Sequence, residues 1–494
     1  MKKRVAAIAL ASSLVLGMLP SCVSADEAKD GITNIVMEYI NFGFEDPDIP
    51  LVFEKINEIT EEKIGVHVDY VLVPIADMIG KPGMMVQAGE QIDMIQTGLI
   101  ATPQMYYQTG LLQPITEYVE KSETLKNLVG EAIEACKING EIYAYPGSLY
   151  PGKGNGFIYD KALAEEYNIE VPEIIDGNEG LTEILKQVKE SGMPAYGISL
   201  GDGVGAEGST QKFDGLGSSM CTFGVVLDPE NDTTVVDWFE TDEYKEQSAI
   251  HQMWYDEGYS VPDSISNGYT VADSLTQGQC FGILVDLAAG QSVGYYANTC
   301  GKELGVGWVK QPEVTTHSVI GVSWGIVAGS PNAQACLDFI QLMYEDAELA
   351  NLYNYGIEGR NYVLQEGSER IIEYPEGTDA GTCGYGNFVP ALGDAMKMYL
   401  PAPMTEEDFA SIEACALENC KVSPLLGYTF DTSDVSTETA SISAVVSQYG
   451  PSLNCGVLDA EAAIPEFVDA LKTAGIDKVV EENQKQLDQW LANK

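Results

Sequence analysis

The side chains best suited to chemistry in this chain are aromatic rings and planar polar groups that stand at or near the ends of apolar runs. Rings offer flat faces for stacking, and amides, carboxylates and guanidinium groups offer directional hydrogen bonds. This combination suits a site that binds a small ligand. The candidate set is Asn41, Asp93, Gln96, Tyr145, Tyr150, Asp286, Trp308, Trp324 and Arg360.

The sequence gives little support for catalysis or metal binding. Its three histidines, His67, His251 and His317, are far apart, and its ten cysteines include no C-x-x-C pair. Zinc and iron–sulfur centres therefore lack a ligand set, so we expect neither a metal nor a cofactor. No G-x-S-x-G motif occurs, and 75 acidic residues make a chance carboxylate pair unavoidable, so such a pair would not indicate a hydrolase.

The formal net charge of −49 limits the partners of the protein. Such a field repels phosphate backbones and anionic membrane surfaces, which excludes nucleic acid as a ligand. The acidic residues are spread along the chain and do not form a tail, which is typical of a solvated surface.

The amino terminus has the pattern of a secretory signal. Three cations precede an apolar run over residues 5–19, which is too short to cross a bilayer, and small residues follow it. We interpret 1–21 as a signal peptide, Cys22 as the lipidated first residue of the mature chain and 22–33 as a lipid-anchored spacer. This places the protein at the outer face of the cytoplasmic membrane. Cleavage after Ala25 is the alternative, since Val-Ser-Ala also fits a cleavage site.

Two kinds of element alternate after the spacer and must position the candidate residues. "NIVMEYINFG", "VHVDYVLVP" and "QIDMIQTG" read as strands, and "IPLVFEKINEITEEKIG" and "IGKPGMMVQAGE" read as helices between them. This βαβαβ order predicts a parallel sheet, whose carboxyl strand ends are the usual place for a ligand. Asn41 and Gln96 stand near two of these ends.

Gly- and Pro-rich breaks divide the chain into two α/β lobes. Residues 26–145 and 310–357 are predicted to form the N-terminal lobe. Residues 150–305 and 370–494 are predicted to form the C-terminal lobe, including a helical extension at the end of the chain.

Several stretches resemble the extracellular solute-binding proteins of bacterial ABC importers. They are "NGEIYAYP", "TDEYKEQSAIHQMWYDEGY" and "SPNAQACLDFIQLMYEDAELANLYNYGIEGRNYVL", and the last is similar to lipoprotein binding proteins with a C-terminal extension. The resemblance implies an α/β protein with the two-lobe periplasmic-binding-protein type II fold and an interlobe ligand cleft. It also implies a monomer that captures a carbohydrate, often an oligosaccharide, and delivers it to ABC permease subunits in the membrane.

A carbohydrate ligand gives the candidate residues definite roles. Aromatic faces would cover the C–H side of the sugar rings, and the polar groups would bind the hydroxyls. We expect Trp324 to be the main platform because it follows a strand and precedes Gly325, with Tyr145 or Tyr150 opposite. The alternative for Trp324 is core packing, and the alternative for Asp93 is a turn cap. A surface-anchored glycoside-active enzyme and a polymer-adhesion protein are the other functions considered.

Overall fold

The computed structural model describes residues 31–43, 46–200, 212–218, 221–262, 264–266, 269–288, 293–379, 381–385 and 392–494. The predicted signal peptide, most of the spacer and Cys22 lie outside the described residues. Within these ranges the chain is an α/β protein with two large sheets, which confirms the predicted fold class.

The strands are numbered along the chain. They are β1 Thr33–Asn41, β2 Val66–Pro74, β3 Met94–Gly98, β4 Lys137–Ile138, β5 Glu141–Ile142, β6 Ala144–Pro146, β7 Lys153–Asp160, β8 Tyr196–Ser199, β9 Cys280–Ala288, β10 Leu304–Val314, β11 Val322–Ile326, β12 Val363–Leu364, β13 Ile371–Glu373, β14 Leu400–Pro401 and β15 Lys421–Val422.

The α-helices are numbered in the same way. They are α1 Ile49–Ile64, α2 Lys81–Ala88, α3 Pro103–Gln108, α4 Thr116–Lys121, α5 Glu123–Val129, α6 Lys161–Tyr167, α7 Gly177–Glu190, α8 Asp242–Asp256, α9 Val271–Thr276, α10 Val293–Cys300, α11 Thr316–Ile320, α12 Ala333–Glu345, α13 Ala347–Tyr355, α14 Phe409–Glu413, α15 Ser436–Asn454, α16 Ala460–Ala474 and α17 Ile476–Asn493.

The first lobe contains a five-stranded sheet in the order β2-β1-β3-β11-β6. β1 pairs in parallel with β2 and β3, and β11 runs antiparallel to both β3 and β6. The β1–α1–β2–α2–β3 order matches the predicted alternation. β1 is buried along most of its length, as its apolar residues on both faces require.

The second lobe contains a five-stranded sheet in the order β15-β10-β7-β9-β8. All of β10 belongs to this sheet, because it pairs with β7 from Leu304 to Glu313. The predicted start of the returning first-lobe segment at 310 is therefore too early. The boundary is displaced because β10 is an eleven-residue strand with register shifts, and its length cannot be read from a Gly-rich pattern.

The segment after residue 357 also departs from the predicted division. Residues 370–494 are predicted to belong to the second lobe, yet Ile372, Tyr385, Leu392 and Met398 pack into the core of the first lobe. The polypeptide reaches the second sheet only at β15, which pairs with the end of β10. The helices α15, α16 and α17 then form a separate core with segment 213–244, around Trp238, Phe239 and Phe467.

The nine cysteines in the described residues are all free thiols. Eight of them are buried, which agrees with the interpretation of most cysteines as small apolar residues of the core.

Candidate ligand-binding cleft

The edge of the first sheet that faces the second lobe is formed by the carboxyl ends of its parallel strands. β11 begins at this edge, because its first residue, Val322, pairs with Gly98 at the end of β3. β6 ends at the same edge, because its last residue, Pro146, pairs with Ser323 near the start of β11. The chain leaves the lobe from the same edge through residues 147–152. The cleft between the lobes therefore lies where open α/β sheets bind their ligands.

Three apolar side chains are exposed at this edge. Phe42 follows β1 and is 38% exposed, and Leu99 and Ile100 follow β3 and are also exposed. The backbone holds the second pair in place, since the Leu99 N–H donates to the Gly321 carbonyl at 2.8 Å. Gly98 is required for this contact, because a Cβ there would lie 2.2 Å from the Gly321 oxygen. Exposed rings and aliphatic groups on a rigid edge suit the apolar face of a ligand.

Asn41 lies at the same edge and is partly buried. Its Oδ1 accepts a hydrogen bond from the Gly43 N–H at 2.8 Å, and its Nδ2 donates to Asp46 at 3.3 Å. The side chain therefore shapes the loop that carries Phe42, and it lies where a ligand hydroxyl could reach it.

A polar cluster forms the facing edge of the second sheet, at the start of β7 and the ends of β9 and β10. The Lys153 ammonium lies 2.9 Å from Asp286, and the Asn155 amide donates to Asp286 at 2.6 Å. Lys310 lies 3.4 Å from Glu313 on β10. We call Lys153, Asn155, Asp286, Lys310 and Glu313 the polar cluster. All of its members are at least partly buried, so their charges act in a medium of reduced dielectric constant.

His317 lies on α11, in the second crossing between the lobes. Burial, followed by the positive charge of Lys153, lowers the pKa of His317 to about 3. The imidazole is therefore neutral at physiological pH. Its Nε2 atom is buried and has no hydrogen-bond partner within the described part of the chain.

Tyr150 lies in the first crossing and is partly exposed. Its hydroxyl donates to Asp394 at 3.0 Å, and Asp394 also lies 3.2 Å from Lys397. Burial raises the pKa of Tyr150, so the hydroxyl remains a donor.

Trp324, Tyr145 and Gln96 are not at the cleft, contrary to the sequence-based expectation. They are cross-strand neighbours on one face of the first sheet, since Trp324 pairs with both Gln96 and Tyr145. Helices α12 and α13 cover this face, which leaves Trp324 1% exposed and Tyr145 fully buried. The Tyr145 hydroxyl donates to the Leu125 carbonyl at 2.7 Å. These side chains form the core of the lobe.

Asp93 and Trp308 are also displaced from the cleft. Asp93 precedes β3, at the opposite end of the strand, and accepts hydrogen bonds from the Val36 N–H at 2.8 Å and from Asn332 at 3.1 Å. Trp308 is in the middle of β10 opposite Gly156 and packs against the side of the second sheet that carries α9 and α10. Both residues hold elements together.

Arg360 is committed to another residue. Its Nε and a terminal nitrogen donate to the two oxygens of Asp48 at 2.7 and 2.6 Å. Asn361 donates to the same carboxylate at 2.8 Å. This bidentate pair ties the Arg360 turn to the start of α1, so the guanidinium serves the first lobe and not a ligand.

The candidate set does not include Phe42, Leu99, Ile100, Lys153 or His317. Leu99 and Ile100 directly follow a predicted strand, but they are aliphatic and so differ from the aromatic and polar residue types of the candidate set. Phe42 has a suitable type and stands at the end of a predicted strand, yet it is not in that set. Lys153 and His317 come together only because the two crossings meet, which no local pattern reveals.

Two kinds of feature are absent from the described ranges. No group of three His, Cys, Asp or Glu side chains there could hold a metal ion. No helix in that part of the chain has the length and apolar character needed to cross a membrane.

Two α/β lobes joined by several crossings, with a polar and apolar cleft between them, define a solute-binding protein of the type II fold. The model of the bacterial extracellular solute-binding protein family matches residues 50–350, more than half of the chain. The chain therefore belongs to this family, which confirms the resemblance. Residues 424–492 match a domain of unknown function (DUF3502).

Similar proteins come from Streptococcus pneumoniae. A protein described as a carbohydrate ABC transporter substrate-binding protein is 26% identical and covers 95% of this chain and 94% of its own. The crystal structure of the N-glycan transport solute binding protein NgtS has a TM-score of 0.78 at 25% identity, covering 93% of this chain and 99% of the other. Its complex with Man5GlcNAc has a TM-score of 0.70 at 25% identity, with the same coverage.

Proposed function

We propose that this protein captures an oligosaccharide between its two lobes and delivers it, unchanged, to the permease of an ABC importer. The observation that carries the proposal is that the exposed apolar edge of Phe42, Leu99 and Ile100 and the polar cluster of the second lobe both lie at the sheet ends that the crossings join. A pyranose ring has an apolar face and a ring of hydroxyls, and the two edges offer one surface for each. The names of the similar proteins support a carbohydrate as the ligand.

The proposed site comprises residues from both lobes and from both crossings. Phe42 stacks on a sugar ring, and Asn41 and Tyr150 bind hydroxyls from the first lobe and the first crossing. Asp286 accepts hydroxyl hydrogens from the second lobe.

We further propose that the protein acts as a monomer held at the outer face of the cytoplasmic membrane by a lipid on Cys22. The sequence "LPSC" at the end of the apolar run supports this anchor. Mass spectrometry of the membrane-extracted protein tests it, and a mature chain that starts at Asp26 would contradict it.

A thermal-shift screen tests the proposed function directly. We expect a mannose-, glucose- or galactose-based oligosaccharide to raise the melting temperature, because a ligand at 100 times its dissociation constant stabilises a protein by about 2.7 kcal/mol. Chromatography of the recovered sugar should show that it is intact. A product sugar in that recovery would favour the enzyme alternative, and a panel without any shift would reject a carbohydrate ligand.

Replacing Phe42 by alanine should weaken binding of the sugar found in this screen at least about tenfold. The loss of a ring that covers a sugar face removes apolar contact worth about 1.5–2 kcal/mol. Isothermal titration calorimetry measures the affinity, and the melting temperature without ligand should hardly change.

Tyr196→Ala is the matched control, since Tyr196 has a ring that is 39% exposed. It lies at the amino end of β8, which is the end of the second sheet away from the polar cluster. This substitution should leave the affinity unchanged. Equal affinities of the Phe42 and Tyr196 variants would show that Phe42 is not part of the site.

A further inference from the structure

The charges of the polar cluster are balanced within the cluster. Lys153 pairs with Asp286 at 2.9 Å and Lys310 pairs with Glu313 at 3.4 Å. Asn155 completes the group with a neutral amide that donates to Asp286. Two ammonium groups thus face two carboxylates, and neither lysine is left to neutralise a charge on a ligand.

The other cation beside the cluster among the described residues already has a carboxylate partner, because Lys421, opposite Glu313 on β15, pairs with Glu230 at 3.0 Å. The carboxyl of Asp214 interacts with Lys310 and Glu313, and burial raises its pKa. His317, beside Lys153, is neutral because burial lowers the pKa of its ring. A ligand carboxylate placed at this edge would therefore meet acidic oxygens and described cations that each already have a carboxylate partner.

The arginines of the chain do not supply such a cation. After the amino-terminal segment 1–30, the sequence contains only Arg360 and Arg370. Arg360 is paired with Asp48, and Arg370 stacks on Phe409 at 3.5 Å and donates to the Met398 carbonyl. The undescribed segments between 31 and 494 contain no Lys or Arg, and they carry acidic residues at 45, 202, 207 and 263.

We propose that the polar cluster selects uncharged glycans against acidic ones, and that Asp286 enforces this selection by neutralising Lys153. This inference rests on the proposed function and names the substrate class of the same cleft. Asp286 is suited to the role because it is 10% exposed and Lys153 is 20% exposed, so their interaction is only partly screened by solvent. A uronate, a sialic acid or a sugar phosphate at the cluster would compete with Asp286 for Lys153.

The test uses each oligosaccharide of the screening panel in two forms. One form is neutral, and in the other the primary hydroxyls at C6 are oxidised to carboxylates. Calorimetry at 150 mM and at 500 mM NaCl separates local repulsion from the long-range field of a chain with net charge −49, because salt screens the latter. We expect the acidic form to bind the native protein at least about tenfold more weakly at both salt concentrations.

Asp286→Asn should reduce this discrimination. The amide keeps an oxygen that can accept the hydrogen bond from Asn155, and it leaves Lys153 free to pair with a ligand carboxylate. We expect the ratio of the two dissociation constants to fall at least about threefold, mainly through tighter binding of the acidic form.

Glu438→Gln is the matched control. It also removes one carboxylate that pairs with a lysine, since Glu438 lies 2.6 Å from Lys478, but this pair is on helices α15 and α17. It changes the net charge by the same amount and should leave the ratio unchanged.

The outcomes are distinct. Equal affinity of the native protein for both forms, or the same effect of Asp286→Asn and Glu438→Gln, would overturn selection by the polar cluster while leaving the proposed function intact. Failure of every sugar, neutral or acidic, to bind the native protein would reject the proposed function itself. A discrimination that disappears at 500 mM NaCl would assign it to the overall charge and reject the role of Asp286.

Discussion

Replacing Trp324 by alanine is expected to lower the free energy of unfolding by about 3–5 kcal/mol, the usual cost of deleting a buried aromatic side chain. The indole is 1% exposed and lies between β3 and β6 in the core of the first lobe. Denaturant unfolding of the ligand-free protein measures the loss, which is a large part of the 5–15 kcal/mol typical of a folded domain.

Phe42→Ala provides the comparison, because it removes a ring that is 38% exposed at the cleft. It should leave the unfolding midpoint almost unchanged and weaken sugar binding. The opposite pattern, with a stable Trp324→Ala protein that no longer binds sugar, would return Trp324 to the ligand site and remove it from the core.

The first lobe begins with the alternating elements β1, α1, β2, α2 and β3. This alternation could be predicted because the local spacing of apolar residues indicates the type of each element. Each strand shows a short apolar run, and each helix shows apolar residues at helical spacing. This order alone also predicts where the carboxyl ends of the strands lie. It therefore predicts correctly that Asn41 stands at that edge of the first sheet.

The orientation of Trp324 could not be predicted in this way. A strand exposes alternate residues to opposite faces, but the sequence of the strand does not say which face the helices will cover. Helices α12 and α13 come later in the chain and bury the face that carries Trp324, Tyr145 and Gln96. A tryptophan next to a glycine therefore gave a misleading signal of an open binding surface.

Ion pairs between distant residues are a second limit of sequence reasoning. Arg360 and Asp48 are 312 positions apart, and their bidentate pair decides that the guanidinium is not a ligand group. Lys153 and Asp286 meet because β7 and β9 are antiparallel neighbours, which requires knowledge of the strand order. The elements could be predicted from the sequence, and the partners of the charged side chains could not.

Glu38 should make the stability of the protein depend on pH in an unusual direction. The carboxyl is fully buried on β1, and this burial raises its pKa from 4.5 to about 8, against smaller opposing effects of the Gln96 N–H and of Lys81. Its Oε2 accepts the Gln96 N–H at 3.0 Å, and its Oε1 has no hydrogen-bond partner among the described residues. The folded state therefore favours the protonated, neutral form.

The sign of the effect follows from proton linkage. Because the pKa of Glu38 is higher in the folded state than in the unfolded state, the folded state binds more protons between pH 4.5 and pH 8. The contribution of this group to stability is greatest below pH 4.5 and declines as the pH rises to about 8. Between pH 5 and pH 8 the decline should be about 3 kcal/mol.

Glu38→Gln should remove this decline, because the amide keeps an acceptor for the Gln96 N–H and does not ionise. The measurement is the midpoint of denaturant unfolding for both proteins from pH 5 to pH 8, and the variant should gain stability relative to the native protein as the pH rises. Glu117→Gln is the control, since Glu117 is an exposed carboxylate of α4 that pairs with Lys121, and it should follow the native profile. Parallel profiles of the native and Glu38→Gln proteins would mean that Glu38 reaches a partner or solvent when it ionises, and that the burial of its carboxyl does not control the pH dependence.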